Sequence, residues 1–155
     1  MQLRIGLISD THGLLRPQAF DYLRGSDHIL HAGDIVDPAT LDALATLAPL
    51  TAVRGNNDVG AWAGALPESV TLTLGGVDIH LIHDLKALQI DPVAAGVRVV
   101  LSGHSHKPSC VEHDGVLYVN PGAAGRRRFK LPVSLGELLI ADGQVEVRLE
   151  TLDLA

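Results

Sequence analysis

An α/β fold of two mixed sheets packed face to face, with helices outside, is the architecture that this 155-residue chain predicts. Three observations predict it. From residue 3 to 55, short β-rich apolar runs alternate with helical ones, an order that calls for parallel strands and crossover helices. From 69 to 152 the pattern changes to strand pairs joined at Gly-containing turns. Apolar residues make up 46% of the chain and charged ones 19%, enough to build the core of one domain spanning 1–155.

Taken in order, "LRIGLIS" (3–9) is a first strand that ends in the polar loop "DTHG". "RPQAFDYLRG" (16–25) is a short helix: Pro17 sits near its start, Ala19, Phe20 and Leu23 give it an apolar face, and Gly25 stops it. "HILHAG" (28–33) is a second strand. "DPATLDALATLAP" (37–49) is a helix capped by Asp37 and begun by Pro38, with Leu41, Leu44 and Leu47 on one face. "LTAVRG" (50–55) is a third strand. Residues 69–84 form a hairpin about Gly75 and Gly76, 85–96 is helical in part with Pro92 interrupting, and 97–103 is another strand. Two further hairpins turn at Asp114-Gly115 and Asp142-Gly143.

Composition excludes several function classes. A formal charge of −6 argues against broad binding to nucleic acid, and 3% aromatics argues against a stacking platform for single strands. Cys110 is the lone cysteine, so no intrachain disulfide and no thiolate zinc cluster can form, and it reads as a small buried apolar residue. The N-terminal apolar run reads as a strand rather than a signal peptide, and no run reaches the length of a membrane span. A cytoplasmic protein that avoids membranes is expected.

The chemistry gathers where strands end. Asp10 and His12 follow the first strand, Asp34 the second and Asn56 the third. His83 ends the first hairpin, and His104 and His106 follow the next strand. All seven are oxygen or nitrogen metal ligands, and ligand sites in open α/β sheets lie beyond the carboxyl ends of strands. Asp-x-His on an extended segment would send carboxylate and imidazole to one side, as would His-x-His. Gly33, Gly55 and Gly103 each precede one of these residues and allow a close backbone approach. Seven ligands exceed one ion's ordinary needs and suit two ions sharing a carboxylate. Two divalent ions would bring four positive charges against the two negative ones of Asp10 and Asp34, so the site would attract an anion.

In this order, "DTHG" (10–13), "GDIVD" (33–37), "GNND" (55–58), "HD" (83–84) and "GHSH" (103–106) resemble the calcineurin-like metallophosphoesterases, most closely their short bacterial and archaeal phosphodiesterase branch. The resemblance runs to at least "NPG" (120–122). It implies a four-layer α/β/β/α sandwich of two mixed sheets flanked by helices. It also implies a first metal on Asp10, His12, Asp34 and His106, and a second on Asp34, Asn56, His83 and His104. A hydroxide bridging the ions would then attack phosphorus in line. The implied activity is that of a binuclear metal-dependent hydrolase, a phosphodiesterase rather than a monoesterase, acting on a small phosphodiester. Manganese leads among the metals that suit these donors, with Fe, Zn, Ni and Co as alternatives.

Two departures from the family pattern stand out. Asn57 occupies the place where the fullest motif has a histidine that helps the leaving group, which predicts a preference for acidic leaving groups. Asp84 stands where many relatives have the glycine of His-Gly-His, and it is expected to hydrogen-bond a ligand or crowd the substrate entrance. A different class of function is also compatible with the fold: a metal-binding scaffold that has lost turnover and acts in protein interaction.

The remaining residues receive plainer readings. His31 is a packed or supporting histidine rather than a ligand, while His28, His80 and His113 are strand or edge positions. Strand alternation puts His80 and His83 on opposite faces. "GRRRFK" (125–130) is the one basic cluster: a solvated loop, or a contact for phosphate if it lies near the metals. Trp62 is expected to pack on the domain, the direction of Arg54 is left open, and the C-terminal hairpin offers an edge for a second copy.

Overall fold

The described residues, 2–154, form two five-stranded mixed sheets in a computed structural model. In the first sheet β1 (Leu3–Ile8), β2 (His28–His31) and β3 (Leu50–Ala52) run parallel. The crossovers are α1 (Pro17–Leu23) and α2 (Ala39–Ala45). A one-turn helix, α3 (Ala61–Gly64), leads to the hairpin of β4 (Ser69–Leu74) and β5 (Val77–Ile82). A 3-10 turn (Leu85–Ala87) and the one-turn α4 (Pro92–Ala95) then carry the chain to β6 (Val99–Leu101). The hairpin β7 (Ser109–His113) and β8 (Val116–Asn120) completes the second sheet, in the order β4-β5-β6-β8-β7. The last hairpin, β9 (Ser134–Ala141) and β10 (Gln144–Thr151), returns to the first sheet, where β9 pairs antiparallel with β1. That sheet runs β10-β9-β1-β2-β3.

Alternation along the strands builds the layers. Ile5, Leu7, Leu30 and Val53 of the first sheet meet Val77, Ile79, Leu81, Val99 and Leu101 of the second in one buried layer. Edge strands β4 and β10 each turn only one face inward: Val70, Leu72 and Leu74 pack there, as do Val145, Val147 and Leu149. Truncating Leu7 or Leu81 to alanine in this layer would cost about 2–5 kcal/mol. On the outer face of the first sheet, Ala19, Leu23 and Leu44 of the helices cover Ile8, Ile29 and Leu135. Gly6 lets α1 settle closely, since a Cβ there would lie 2.5 Å from the Leu23 Cδ2. Arg4 ties the helix end down by donating to the carbonyls of Tyr22 and Arg24 while pairing with Glu137.

The outer face of the second sheet is covered more thinly. Leu88 and Ile90 lie over Ile82, Val97, Val100 and Val116, so the fourth layer is a turn and one helical turn. Pro92 begins α4 instead of interrupting a helix: it sits at the first helical position, and the Asp91 Oδ1 accepts from the N–H groups of Val93 (3.2 Å) and Ala94 (3.4 Å). Pro38, not Asp37, takes the N-cap position of α2, which has no side-chain cap, while Asp37 one residue earlier accepts from the Ala39 N–H at 2.9 Å. All three hairpins turn on residue pairs in the left-handed region: Gly75-Gly76 (φ 57° and 78°), Asp114-Gly115 (52° and 77°) and Asp142-Gly143 (52° and 75°). Cys110 departs from expectation. It is exposed, because β7 is an edge strand whose side chains are all open to solvent. Among the described residues no helix is long and apolar enough to cross a membrane.

Candidate metal centre

The carboxyl ends of β1, β2, β3, β5 and β6 open on one side, and the loops there are stitched together by their backbones. The Asp10 N–H donates to the Gly33 carbonyl (2.9 Å), the His12 N–H to that of Asp34 (3.0 Å), and the Gly103 N–H to that of His83 (2.9 Å). Such close approach needs glycine. A Cβ on Gly55 would sit 2.2 Å from the Asp34 Oδ1, and one on Gly103 would sit 2.5 Å from the Asp10 Oδ2.

The structure brings all seven sequence-selected residues together, in two sets. Asp10, His12 and His106 form one: the His106 Nε2 lies 3.3 Å from both the Asp10 Oδ1 and the His12 Nε2. Asp34, His83 and His104 form the other, with the Asn56 Oδ1 3.0 Å from the His83 Nε2 and 3.1 Å from the His104 Nδ1. The Asp34 Oδ2 joins them, 3.3 Å from the His83 Nε2 and 3.6 Å from the His12 Nε2.

Extended alternation is not how this convergence is achieved. β1 ends at Ile8, and Asp10 and His12 both take left-handed backbone angles, φ 52° and 47°. Asp34 (57°), His104 (71°) and His106 (63°) do the same. Non-glycine residues rarely adopt this region, at a cost of order 1–3 kcal/mol each. Tight loops therefore aim these side chains, and the expected strand-like alternation for Asp-x-His and His-x-His is corrected accordingly.

Neighbouring donors and acceptors fix the side chains of the site. The His83 Nδ1–H donates to the Ala32 carbonyl at 2.7 Å, which fixes the ring with its Nε2 facing Asp34 and Asn56. Burial opposes ionisation of Asp10, but His106, His12 and Ser9 together outweigh it and hold the carboxyl well below the usual range. Burial likewise opposes ionisation of Asp34, and His83 and the Asn57 N–H reverse the balance, keeping its pKa low. For His83, burial favours the neutral ring while Asp34 and Asp10 push its pKa up. Among the described residues, the buried Asp10 Oδ1 and His106 Nδ1 find no hydrogen-bond partner. A buried carboxylate oxygen without a donor, ringed by imidazole nitrogens, is what a cation would satisfy, so these residues fit a divalent metal.

Supporting residues that sequence reading did not single out do much of the positioning. Asp58, at 5% exposure, accepts from four backbone N–H groups: Asp34 (3.0 Å), Ile35 (2.8 Å), Val36 (2.7 Å) and Gly55 (2.8 Å). Its place at the end of "GNND" was the only signal of this role. The Asn120 amide donates to the Gly103 carbonyl (2.9 Å) and the Ser105 Oγ (3.0 Å), steadying the "GHSH" loop. Ser9 donates to the Asp10 Oδ2 at 2.6 Å.

The secondary candidates sort as follows. Asn57 donates from its backbone N–H and its Nδ2 to the two oxygens of Asp34, at 2.9 and 3.0 Å. The Asp84 Oδ2 is 4.0 Å from the His104 Nε2, too far for the expected hydrogen bond, and its Oδ1 accepts from the Lys86 N–H. It does line a cleft of about 360 Å³ beside Asn56, His83 and His104, which Arg54, His80 and Gln89 also line. His31 is a buried supporting residue: its Nδ1 accepts from the Gly33 N–H, so the neutral ring donates from Nε2 to the Thr11 Oγ1. Burial lowers its pKa to about 4. His28 meets Thr51 and His80 meets Thr71 across neighbouring strands, while His113 is exposed beside Asp114. Arg54 pairs with Glu68 at 2.9 Å, and Trp62 is half-buried on α3.

A sandwich of this topology with histidines and carboxylates at its strand ends defines a class of metal-dependent hydrolases. The chain belongs to the calcineurin-like phosphoesterase superfamily, whose domain model matches residues 3–143. It is similar to a probable metallophosphoesterase of Methanothermobacter thermautotrophicus, 37% identical over 131 residues that cover 77% of this chain and 76% of that one. In fold it is similar to an archaeal phosphodiesterase (TM-score 0.77, 23% identity, 97% of this chain and 100% of that one). It is equally similar in fold to Vacuolar Protein Sorting 29 of Cryptosporidium parvum (TM-score 0.77, 20% identity, 97% and 98%).

Proposed function

We propose that the chain is a cytoplasmic metal-dependent phosphodiesterase that works with two divalent ions, manganese first among them. The observation that carries this reading is the convergence of the seven ligand-type side chains into two sets that share Asp34. Asp10, His12, Asp34 and His106 would hold one ion, and Asp34, Asn56, His83 and His104 the other. Bound there, the ions would supply Lewis-acid polarisation of the phosphoryl oxygens and acidify a water for attack at phosphorus.

The chain's own residues orient this chemistry. Asp58 and Asn57 hold the loop and carboxylate of Asp34, and the Ala32 carbonyl sets the His83 tautomer. The cleft bounded by Arg54, His80 and Gln89 offers room for one ester arm of the substrate. Likeness to an archaeal phosphodiesterase supports a diester over a monoester.

The test compares bis(p-nitrophenyl) phosphate with p-nitrophenyl phosphate, using chelator-stripped protein, Mn²⁺ add-back and the Asp34→Asn variant. Metal-dependent turnover of the diester that is lost in the variant is the expected result. Asn57, a carboxamide that cannot protonate a leaving group and is bonded to Asp34, favours one other reading, a non-catalytic scaffold. Two bound metals with no turnover of either ester would select it.

A further inference from the structure

We propose that the loop formed by residues 126–130 is a binding site for the strand flanking the scissile phosphodiester, so that the substrate is a short single-stranded oligonucleotide. The inference deepens the phosphodiesterase reading and rests on it. Four of these five residues are cationic (Arg126, Arg127, Arg128 and Lys130), in a chain of formal charge −6. All five are exposed. At physiological salt, charges act over about 8 Å, so a local cluster can bind phosphate despite the acidic whole.

The cluster is fixed to the rim of the metal centre. Gly125 presses so closely on the backbone between Asp10 and His12 that a Cβ there would fall 1.9 Å from the Thr11 carbonyl oxygen. The Ala124 N–H donates to the Ser9 carbonyl (3.1 Å), and the Arg16 Nε donates to the Gly125 carbonyl (2.9 Å). Arg126 follows with its Cα about 3.8 Å beyond that of Gly125. At the tip, Phe129 is 89% exposed and held at φ 55°. A bulky aromatic in the left-handed region, turned to solvent, does nothing for the core. Aromatics at 3% of the chain rule out an extended stacking platform, but one exposed ring can stack on one base, and cations beside it can contact the flanking phosphates, the two elements of single-strand recognition.

The probe is fluorescein-labelled hexathymidylate with phosphorothioate linkages, titrated by anisotropy against the Mn²⁺-loaded protein at 50 and 200 mM salt. The variants are the triple Arg126→Ala, Arg128→Ala, Lys130→Ala and the single Phe129→Leu. The triple variant should weaken binding about tenfold or more and flatten the log–log salt slope by about two, at roughly 0.7 per phosphate contact. Phe129→Leu should weaken binding without changing that slope. For unmodified hexathymidylate, KM should rise about tenfold more in the triple variant than it does for bis(p-nitrophenyl) phosphate. Equal binding by wild type and triple variant overturns the proposal. So does loop-dependent binding to phosphatidylserine-containing vesicles without binding to the oligonucleotide. Loop-dependent oligonucleotide binding with no hydrolysis of any diester supports the loop's role and overturns the phosphodiesterase reading instead.

Discussion

Asp58 shows how much one buried carboxylate can organise. Its two oxygens satisfy four backbone N–H groups of the Asp34 and Asn56 loops. Asp58→Ala would strand those donors, at about 1–3 kcal/mol for each left unpaired. A stability loss of at least about 3 kcal/mol in urea unfolding is expected, together with loss of manganese at equilibrium dialysis. His31 makes a prediction about pH. Its folded pKa of about 4 lies below the unfolded 6.5, so the unfolded chain binds the extra proton between those values. The contribution is full above pH 6.5 and is lost as pH falls toward 4, about 3 kcal/mol in all. A His31→Gln variant should show a correspondingly shallower pH dependence of unfolding free energy across that window. Asn57 bears on the leaving group: a carboxamide has no acidic proton to give the departing oxygen, and this one is bonded to Asp34. Rates for aryl methyl phosphates should fall steeply as the leaving-group pKa rises, and a flat series would show that another group supplies the acid.

At the scale of elements, the loops matter more than the strands they end. Gly55→Ala would drive a methyl into Asp34, and Gly103→Ala would drive one into Ser9 and Asp10. Each variant should fold, with its sheets and inter-sheet core retained by circular dichroism, yet bind manganese at least tenfold more weakly by calorimetry. Strands, hairpin turns and crossovers were legible in the sequence because each has a local cause: period-two apolar residues, Gly-Gly and Asp-Gly turns, and proline at helix starts. The candidate ligand residues were legible because all lie in the loops that follow strands. What stayed hidden depends on pairing across the chain. Nothing local tells that Asp58 reaches back to residues 34–36, that Asn120 steadies residues 103–105, or that Asp10 and His12 turn left-handed. Cys110 is exposed against expectation because burial of β7 depends on its edge position, which only the sheet order reveals.

For the whole molecule, the candidate metal centre is where two sheets are joined. Asp10, His12 and Asp34 come from the first sheet, while His83, His104 and His106 come from the second. Ions bound at both sets would therefore act as clamps between the sheets. At a free concentration 100-fold above its dissociation constant, one ion adds about 2.7 kcal/mol. For a chain of this size that corresponds to a rise in Tm of roughly 5–10 °C on adding Mn²⁺ to stripped protein, measurable by scanning calorimetry. The pairing of β1 with β9 has a further consequence, for the way the protein is made. Leu3 lies opposite Ile140, so β1 leaves the ribosome long before the strand it pairs with. At about 5–20 residues per second, residues 3–8 stay without that neighbour for roughly 6–25 s of translation. The metal loops hang from this same strand. A nascent chain stalled before residue 134 has emerged should thus present every ligand and still fail to retain manganese.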